Sequence, residues 1–311
     1  MDLSPFANRL RKNQRHWNKW ARRRAVSCYR IYDRDIPEFP LAIDWYEGRV
    51  HAQEFARPAA DEPDPQQEQA LAELLCEVLT IKPEDLAFKT RQRQRGLAQY
   101  EKTGRHSRPF VVHEAGLAFE VDLHGYLDTG LFLDHRLTRL LVREQAAGKQ
   151  VLNLFAYTGS FTVYAAAGGA ANTTSVDLSN TYLAWGRRNL QLNDLDGPHH
   201  RFVRSDVFRY LEQAQRQRER FDLIILDPPS FSNSKKMLEI LDLQRDHPRL
   251  IQACLALLNP DGKLLFSTNR RRFRLDPTLE ESGLWEEITR QTLPEDFRRH
   301  PAHRCWRYRK S

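Results

Sequence analysis

The sequence predicts an α/β protein whose C-terminal part is a parallel sheet wrapped on both faces by helices, with a smaller α+β domain before it. Three observations carry this. From Gln150 onward short apolar runs alternate with helix-patterned stretches, the signature of strand–helix–strand crossovers. Before residue 125 the pattern differs: a long basic amphipathic stretch, then paired alternating segments separated by turn residues. With 311 residues and 41% hydrophobic side chains, the chain can bury one large core and one smaller one. The division is placed at 1–124 and 125–311.

Residues 5–24 read as an amphipathic helix, with Phe6, Leu10, Trp17 and Ala21 on one face, Trp20 beside them and arginines elsewhere. Its aromatics read first as core anchors and second as platforms for stacked bases. Residues 28–32 suggest a strand. Residues 41–45 and 50–54 alternate around Glu47-Gly48 and form a hairpin. The Pro- and acid-rich stretch 57–67 is a loop. A helix follows, with Ala70, Leu71, Leu74, Leu75, Val78 and Leu79 as its buried stripe. Residues 86–89 form a strand leading into a basic loop, and a second hairpin near 110–113 and 117–123 closes the small domain. Beyond it, strands are expected at 151–155, 174–176, 201–203, 221–226 and 263–267. Helices are expected at 161–167, 180–192, 208–217 and 250–258. A sheet of this kind binds its ligand beyond the carboxyl ends of its strands.

The formal net charge is +7, and its distribution matters more than its size. One cluster holds Arg9, Arg11, Lys12, Arg15, Lys19, Arg22, Arg23, Arg24 and Arg30 against a single acid, Asp2. A second is Lys89, Arg91, Arg93 and Arg95; a third follows Asn269 as Arg270, Arg271, Arg272 and Arg274. One such cluster reads equally well as a solvated surface, but three in one chain point to a polyanion such as RNA. Arg9, Arg11, Lys12, Arg15, Arg22, Arg91, Arg93, Asn269, Arg270 and Arg271 are the candidate contacts. No apolar run approaches the ~20 residues that span a bilayer, and no signal-peptide pattern opens the chain. The four cysteines, Cys28, Cys76, Cys254 and Cys305, form no CxxC pair, so neither a disulfide framework nor a metal site is expected. A cytoplasmic setting follows.

Four features fall at strand ends. The first is Asn153-Leu-Phe155-Ala-Tyr157-Thr-Gly159-Ser160, turning from strand to helix, where Gly159 permits close backbone approach to a ligand. Its single glycine is not GxGxxG, which argues against a dehydrogenase. The second is Asp177, followed by Leu178, at the spacing of about 20 residues from which an acid accepts the ribose hydroxyls of a nucleoside. The third is Ser205-Asp206, placed to reach an adenine edge. Both acids read equally well as helix N-caps. The fourth, Asp227-Pro228-Pro229-Ser230-Phe231, is a rigid loop: two prolines fix the backbone and remove two donors. Asp227 stands at its mouth and Phe231 can stack on a base. Acid-Pro-Pro-aromatic loops of this kind hold the base in many nucleic-acid methyltransferases.

Five stretches carry a closer resemblance: residues 6–12 (FANRLRK), 129–136 (TGLFLDHR), 153–160, 227–235 and 266–276 (FSTNRRRFRLD). Together they make the chain resemble the C-terminal half of the bifunctional bacterial 23S rRNA guanine methyltransferases, the half that makes N7-methylguanine. The resemblance implies a class I S-adenosylmethionine methyltransferase with a Rossmann-like sheet. It also implies S-adenosylmethionine as donor and 23S rRNA or a large-subunit precursor as substrate. The sequence does not contain the other methyltransferase half of those proteins, so either a stand-alone relative or an excised piece of a longer chain is expected. Tyr126, Asp134, His135 and Arg136 are expected to fold over the cofactor, with Arg136 on its carboxylate. An Asp-His-Arg run also suits a helix N-terminus.

The same family circle includes enzymes that methylate pyrimidine C5 through a cysteine on the strand after the Asp-Pro-Pro loop. Here that strand reads Leu265-Phe266-Ser267-Thr268-Asn269, without the nucleophile. Guanine N7 carries a free in-plane lone pair and needs no base. Methylation of the exocyclic N2 amine on the same fold remains the nearer alternative. A non-catalytic RNA-binding module would explain the charge but not the four strand-end features together.

Overall fold

The computed structural model describes residues 2–55, 65–91, 107–232, 241–280 and 284–310, with backbone alone at 90, 91, 231 and 232. Arg93 and most of the 57–67 loop fall outside them. The chain divides into two compact units. One comprises Met1–Gly116, Val121–Thr129 and Glu295–His300, the other Leu117–Glu120, Gly130–Pro294 and Pro301–Ser311. A single cut after residue 124 does not reproduce this division, because the chain returns to the first unit near its end. There Trp20 Nε1 donates to Glu295 (2.6 Å) and the Arg30 amide to Asp296 (3.0 Å).

The first unit contains α1 (Ser4–Arg24), β1 (Cys28–Asp33), β2 (Leu41–Tyr46), β3 (Arg49–Phe55), α2 (Pro65–Leu79), β4 (Leu86–Arg91) and β5 (Phe110–Glu114). A proline in the first turn of α1 and arginines in its last suit the unpaired amides and the helix dipole. The buried face of α1 is Phe6, Ala7, Leu10, Trp20 and Ala21; Trp17 is only half-buried. Trp20 therefore takes the place the helical spacing assigns to Trp17, since its indole N–H finds Glu295 and its ring meets Tyr29 edge-on. The sheet runs β1-β2-β3-β4. Its first three strands are antiparallel, with Glu47 and Gly48 in the left-handed region at the hairpin. β4 lies parallel to β3, a pairing that needs a crossover, and α2 supplies it. Phe6 and Leu10 pack with Ile31, Leu41, Ile43, Leu71 and Leu75 in one core.

Arg30 is not part of a basic surface. Asp44 takes its Nε and Nη2 (2.8 and 3.0 Å), Asp33 its Nη1 (3.0 Å), and its guanidinium lies 4.4 Å from the Phe297 ring centre. Burial works against this charge, and the two carboxylates more than offset it, so Arg30 stays a cation.

The second unit holds β6 (Leu117–Val121) up to Glu120, then α3 (Arg136–Gln145), β7 (Gln150–Leu154), α4 (Ser160–Ala167), β8 (Asn172–Asp177), α5 (Asn180–Gln191), β9 (His200–Arg204), α6 (Val207–Arg216) and β10 (Phe221–Leu226). It continues with β11 (Phe231–Ser232), β12 (Leu241–Asp242), α7 (Leu243–Ala256), β13 (Leu258–Thr268), α8 (Pro277–Glu280), β14 (Trp285–Glu287), α9 (Thr289–Thr292) and β15 (Arg304–Arg309). Seven strands form one sheet in the order β14-β15-β13-β10-β7-β8-β9. From β9 to β13 the pairing is parallel. β15 and β14 then add antiparallel strands, so the Rossmann-like sheet is mixed where a parallel one was expected. β10 lies at its centre, and a strand covered on both faces needs the continuous apolar run 223–226. Register sets Leu154, Leu226 and Phe266 side by side, so β7 and β10 end level and β13 runs two residues further, through Ser267 to Thr268.

Helix α7 begins at Leu243, not near 250, despite Pro248 within it. Proline cannot donate to the Gln244 carbonyl one turn back; His247 Nδ1 donates there instead (3.0 Å). Asp242 caps the helix through the Gln244 amide.

If α1 is held by its apolar face, Leu10→Ala should cost about 2–5 kcal/mol, and Lys12→Ala less than about 0.5 kcal/mol. Denaturant titration of the two variants checks this. Equal midpoints would mean that α1 is not anchored by this core.

Candidate active site at the carboxyl ends of the strands

The loop leaving β7 is held in a conformation that most side chains avoid. Phe155, Tyr157 and Gly159 have φ of 56°, 49° and 70°, and the two non-glycine residues are strained. Anchors on both sides offset this: the Ala156 amide donates to Val176 O (3.0 Å) and the Tyr157 amide to Asp177 Oδ2 (3.0 Å). Thr158 Oγ1 donates to Gly130 O (2.6 Å). The close approach that Gly159 permits here is to another helix. A Cβ there would lie 3.1 Å from Gly186 Cα in α5. Gly130 has the same kind of reason, since a Cβ would meet the Trp185 ring at 2.5 Å. Asn153 is buried, its amide donating to Thr162 Oγ1 (3.0 Å), so its side chain belongs to the layer between sheet and α4. Phe155 packs half-buried against the main core, and Ser160 opens α4.

Asp177 ends β8. Its two oxygens accept from the amides of Tyr157 (3.0 Å) and Ser179 (2.8 Å). Burial raises its pKa to about 6 against the pull of those amides and that of Leu178. The three amides leave part of the carboxylate's acceptor capacity unused, so it can still accept from a hydroxyl donor. At the end of β9 the Ser205 amide donates to Asp177 O (3.1 Å), which brings two of the expected strand ends together. Asp206 is buried and caps α6 through the Arg209 amide (3.2 Å).

Asp227 leaves β10 with its side chain 25% exposed. Ser267 Oγ, on neighbouring β13, donates to Oδ1 (2.6 Å), and His135 Nε2 lies 3.4 Å from Oδ2. His135 is buried, which lowers its pKa; Asp227 and Asp134 pull upward, His303 and Arg139 downward. His303 stacks on His135, ring centres 4.2 Å apart and planes 12° apart, and its Nδ1 lies 2.9 Å from Asp134 Oδ2. Pro228 is buried, Pro229 half-buried, and Ser230 Oγ donates to Asn269 Oδ1 (2.5 Å). Phe231 begins β11; its side chain lies outside the described residues. Arg136 is buried as the first residue of α3. Tyr126 belongs to the first unit, where its carbonyl accepts from Lys89.

Three members of this cluster were not legible in the sequence. Thr292 and His303 come from segments without a motif, brought in by α9 and the approach to β15, and Ser267 lies in the 266–276 stretch, where the sequence assigns it no role. Cys305 belongs with them: register sets it opposite Ser267, although it stands far from the Asp-Pro-Pro loop in sequence. Its thiol is wholly buried, and burial first, with Asp227 adding, pushes its pKa well above the usual thiol value. It is no thiolate nucleophile. Asp134, His135 and His303 carry donor atoms within 4.8 Å of one another. An imidazole lone pair lies in its ring plane, and two nearly parallel stacked rings do not direct theirs at one ion.

The candidate RNA contacts divide. Arg9 pairs with Asp35 (3.5 Å), Arg11 with Glu77 (3.2 Å) and Arg270 with Asp242 (2.8 Å). Lys12, Arg15, Arg22, Asn269 and Arg271 are exposed. Arg91 ends β4, its side chain outside the described residues. No described helix is long and apolar enough to cross a membrane.

Known proteins resemble the chain along its whole length. The Neisseria meningitidis protein named ribosomal RNA large subunit methyltransferase K is 54% identical over 99% of this chain and 88% of its own. The Methylococcus capsulatus ribosomal RNA large subunit methyltransferase K/L is 51% identical over 97% of this chain, which spans only 42% of that longer protein. A solved methyltransferase complexed with SAH superposes with a TM-score of 0.80 at 26% identity, over 99% of this chain and 82% of that one. Residues 30–298 match the S-adenosylmethionine-dependent methyltransferases, and the chain belongs to that family.

Proposed function

We propose that this protein methylates N7 of a guanine in 23S rRNA, or in a large-subunit precursor, in the cytoplasm. The observation that carries the substrate is the 54% identity to a relative named for the large ribosomal subunit, of which this chain spans 88%. The exposed cations Lys12, Arg15, Arg22 and Arg271 suit a phosphate backbone. The K/L relatives are more than twice as long, and a second methyltransferase half in them is part of the same proposal.

Asp177 would hold the ribose of S-adenosylmethionine through its spare acceptor capacity. The loop 155–160, Leu178 and Ser205-Asp206 would line the rest of the cofactor's bed, with Asp134, His135 and Arg136 on the opposite side. When bound, the cofactor supplies a methyl group on a cationic sulfur. The acceptor N7 attacks with its own lone pair and loses no proton, so the chain must only align it at about 3–3.5 Å and stabilise the cationic purine that forms. Asp227 suits that second role: Ser267 and His135 fix its two oxygens, and a quarter of its side chain faces outward. Pro228 and Pro229 stiffen the loop, and Phe231 would stack on the base. Covalent C5 chemistry lacks a thiolate, Cys305 being sealed in the sheet. Methylation of an exocyclic guanine amine is the second reading, favoured by one observation: a buried imidazole, His135, beside Asp227 could take up the proton such an amine sheds.

Asp177→Ala should weaken cofactor binding by about 1.5–3 kcal/mol. The raised pKa gives a second signature. Above about pH 7 the carboxylate is ionised and accepts the ribose hydroxyls; as pH falls through about 6 it protonates. S-adenosylhomocysteine should then bind about tenfold more weakly at pH 5 than at pH 7. Calorimetry giving a flat profile would remove Asp177 from the ribose.

Replacing Lys12, Arg15 and Arg22 by Glu should weaken RNA binding and lower its salt slope by roughly 0.7–0.9 for each phosphate no longer neutralised. An unchanged slope would make α1 a packing element only. N7 methylation leaves a fixed positive charge that makes the purine C8 electrophilic. Borohydride followed by aniline should therefore cut the methylated rRNA at the modified nucleotide. Tritium transferred from labelled S-adenosylmethionine into RNA that resists this cleavage would favour the exocyclic amine. No transfer at all would leave an RNA-binding protein.

A further inference from the structure

The Asp227 carboxylate does not orient itself. His135 faces its Oδ2, and what holds His135 is a side chain from the far end of the chain. We propose that His303 is a positioning residue for methyl transfer, fixing the Asp134–His135 pair in the arrangement that aims Asp227 at the acceptor base. This rests on the reading of Asp227 as the carboxylate that stabilises the methylated base.

His303 is 2% exposed and reaches the cluster just before β15. A carboxylate only accepts, so the 2.9 Å contact to Asp134 Oδ2 places a proton on His303 Nδ1. Its other nitrogen faces Thr292 Oγ1 at 3.2 Å. Held at both ends, the ring presents its flat side to His135, 4.2 Å away and 12° from parallel. His135 has little other freedom. Phe161 stands edge-on at 5.6 Å, Thr138 Oγ1 lies 3.4 Å from Nδ1, and Nε2 sits between Asp227 Oδ2 (3.4 Å) and Asp134 Oδ2 (3.8 Å). Removing the His303 ring opens the one flat wall that keeps His135 from tilting away, and takes a donor from Asp134. Asp227 would keep its Ser267 bond but lose the partner that sets the direction of its second oxygen. His303 thus acts through His135 and Asp227 and needs no contact with substrate.

The alternative occupant of this cluster is a metal ion, and the geometry disfavours it. The 2.9 Å Asp134–His303 separation is a hydrogen bond, and the stacked rings aim their lone pairs along separate planes.

The test is single-turnover methyl transfer from labelled S-adenosylmethionine to 23S rRNA by the full chain. Calorimetry with S-adenosylhomocysteine and thermal unfolding run in parallel. At saturating S-adenosylmethionine, His303→Ala and His303→Phe should slow transfer about ten- to a hundredfold. His303→Asn, which keeps a donor where Nδ1 stood, should recover most of that loss. In an Asp227→Ala background, His303→Ala should add nothing. A wild-type rate in His303→Ala overturns the proposal, as does a His303→Asn variant that folds yet stays as slow as alanine. Multiplicative slowing in the Asp227→Ala background also overturns it while leaving the Asp227 reading intact. Wild-type turnover by Asp227→Ala defeats the Asp227 reading and this proposal with it. A zinc ion held stoichiometrically by the wild type and lost in His303→Ala would make the cluster a metal centre instead.

Discussion

A single carboxylate organises the cofactor end of the sheet. Asp177 accepts the Tyr157 amide from the first crossover loop and the Ser179 amide from the second, while its own carbonyl takes the Ser205 amide from the third. Three loops that leave three different strands are thereby tied to one residue. Phe155 and Tyr157 can be left-handed because those bonds over-determine the loop. The same burial that makes Asp177 a good anchor makes its charge expensive. A ligand that donates hydroxyls to it supplies the solvation that the fold has withdrawn.

The second carboxylate, Asp227, is arranged differently. Its neighbours are side chains, not backbone: a serine from the adjacent strand and a histidine from the segment before α3. Side-chain partners give direction without rigidity, which suits the role toward the base proposed for Asp227. The two acids, at similar places at the ends of strands in one sheet, therefore serve opposite needs.

How much of this the sequence showed depended on whether the determining interaction was local. Strand 221–226 was legible to the residue, because cover on both faces demands the continuous apolar run 223–226 within it. The places of Asp177 and Asp227 at strand ends were legible because strand and helix patterns alternate regularly along this part of the chain. The body of α7 was legible but its start at Leu243 was not, since Pro248 argues against a helix there and the His247 side chain supplies the donor that the proline lacks. Trp20 and Trp17 were exchanged, because helical spacing alone cannot see Glu295 waiting for an indole N–H. The close approach of Gly159 to Gly186 was out of reach as well, being invisible until α5 is placed. His303 and Cys305 were out of reach altogether, for antiparallel pairing of β15 with β13 has no sequence period that names its partner.

The return of residues 295–300 to the first unit bears on how the chain comes to be folded. Glu295 takes the Trp20 indole, Asp296 takes the Arg30 amide, Phe297 covers the Arg30 guanidinium, and Arg299 pairs with Asp35 at 2.8 Å. A nascent chain emerging from the ribosome therefore presents α1 and β1 long before it presents the segment that closes over them. During that interval Trp20 lacks its acceptor, and Arg30 has its two acids but no aromatic lid. Closing Trp20 onto Glu295, 275 positions away, is slow relative to local pairing, so the first unit cannot finish packing until residues 295–300 are made, just as the second waits for β15. Vectorial, domain-by-domain maturation is closed to this architecture, and the exposed arginines of α1 spend that interval available to any nearby polyanion.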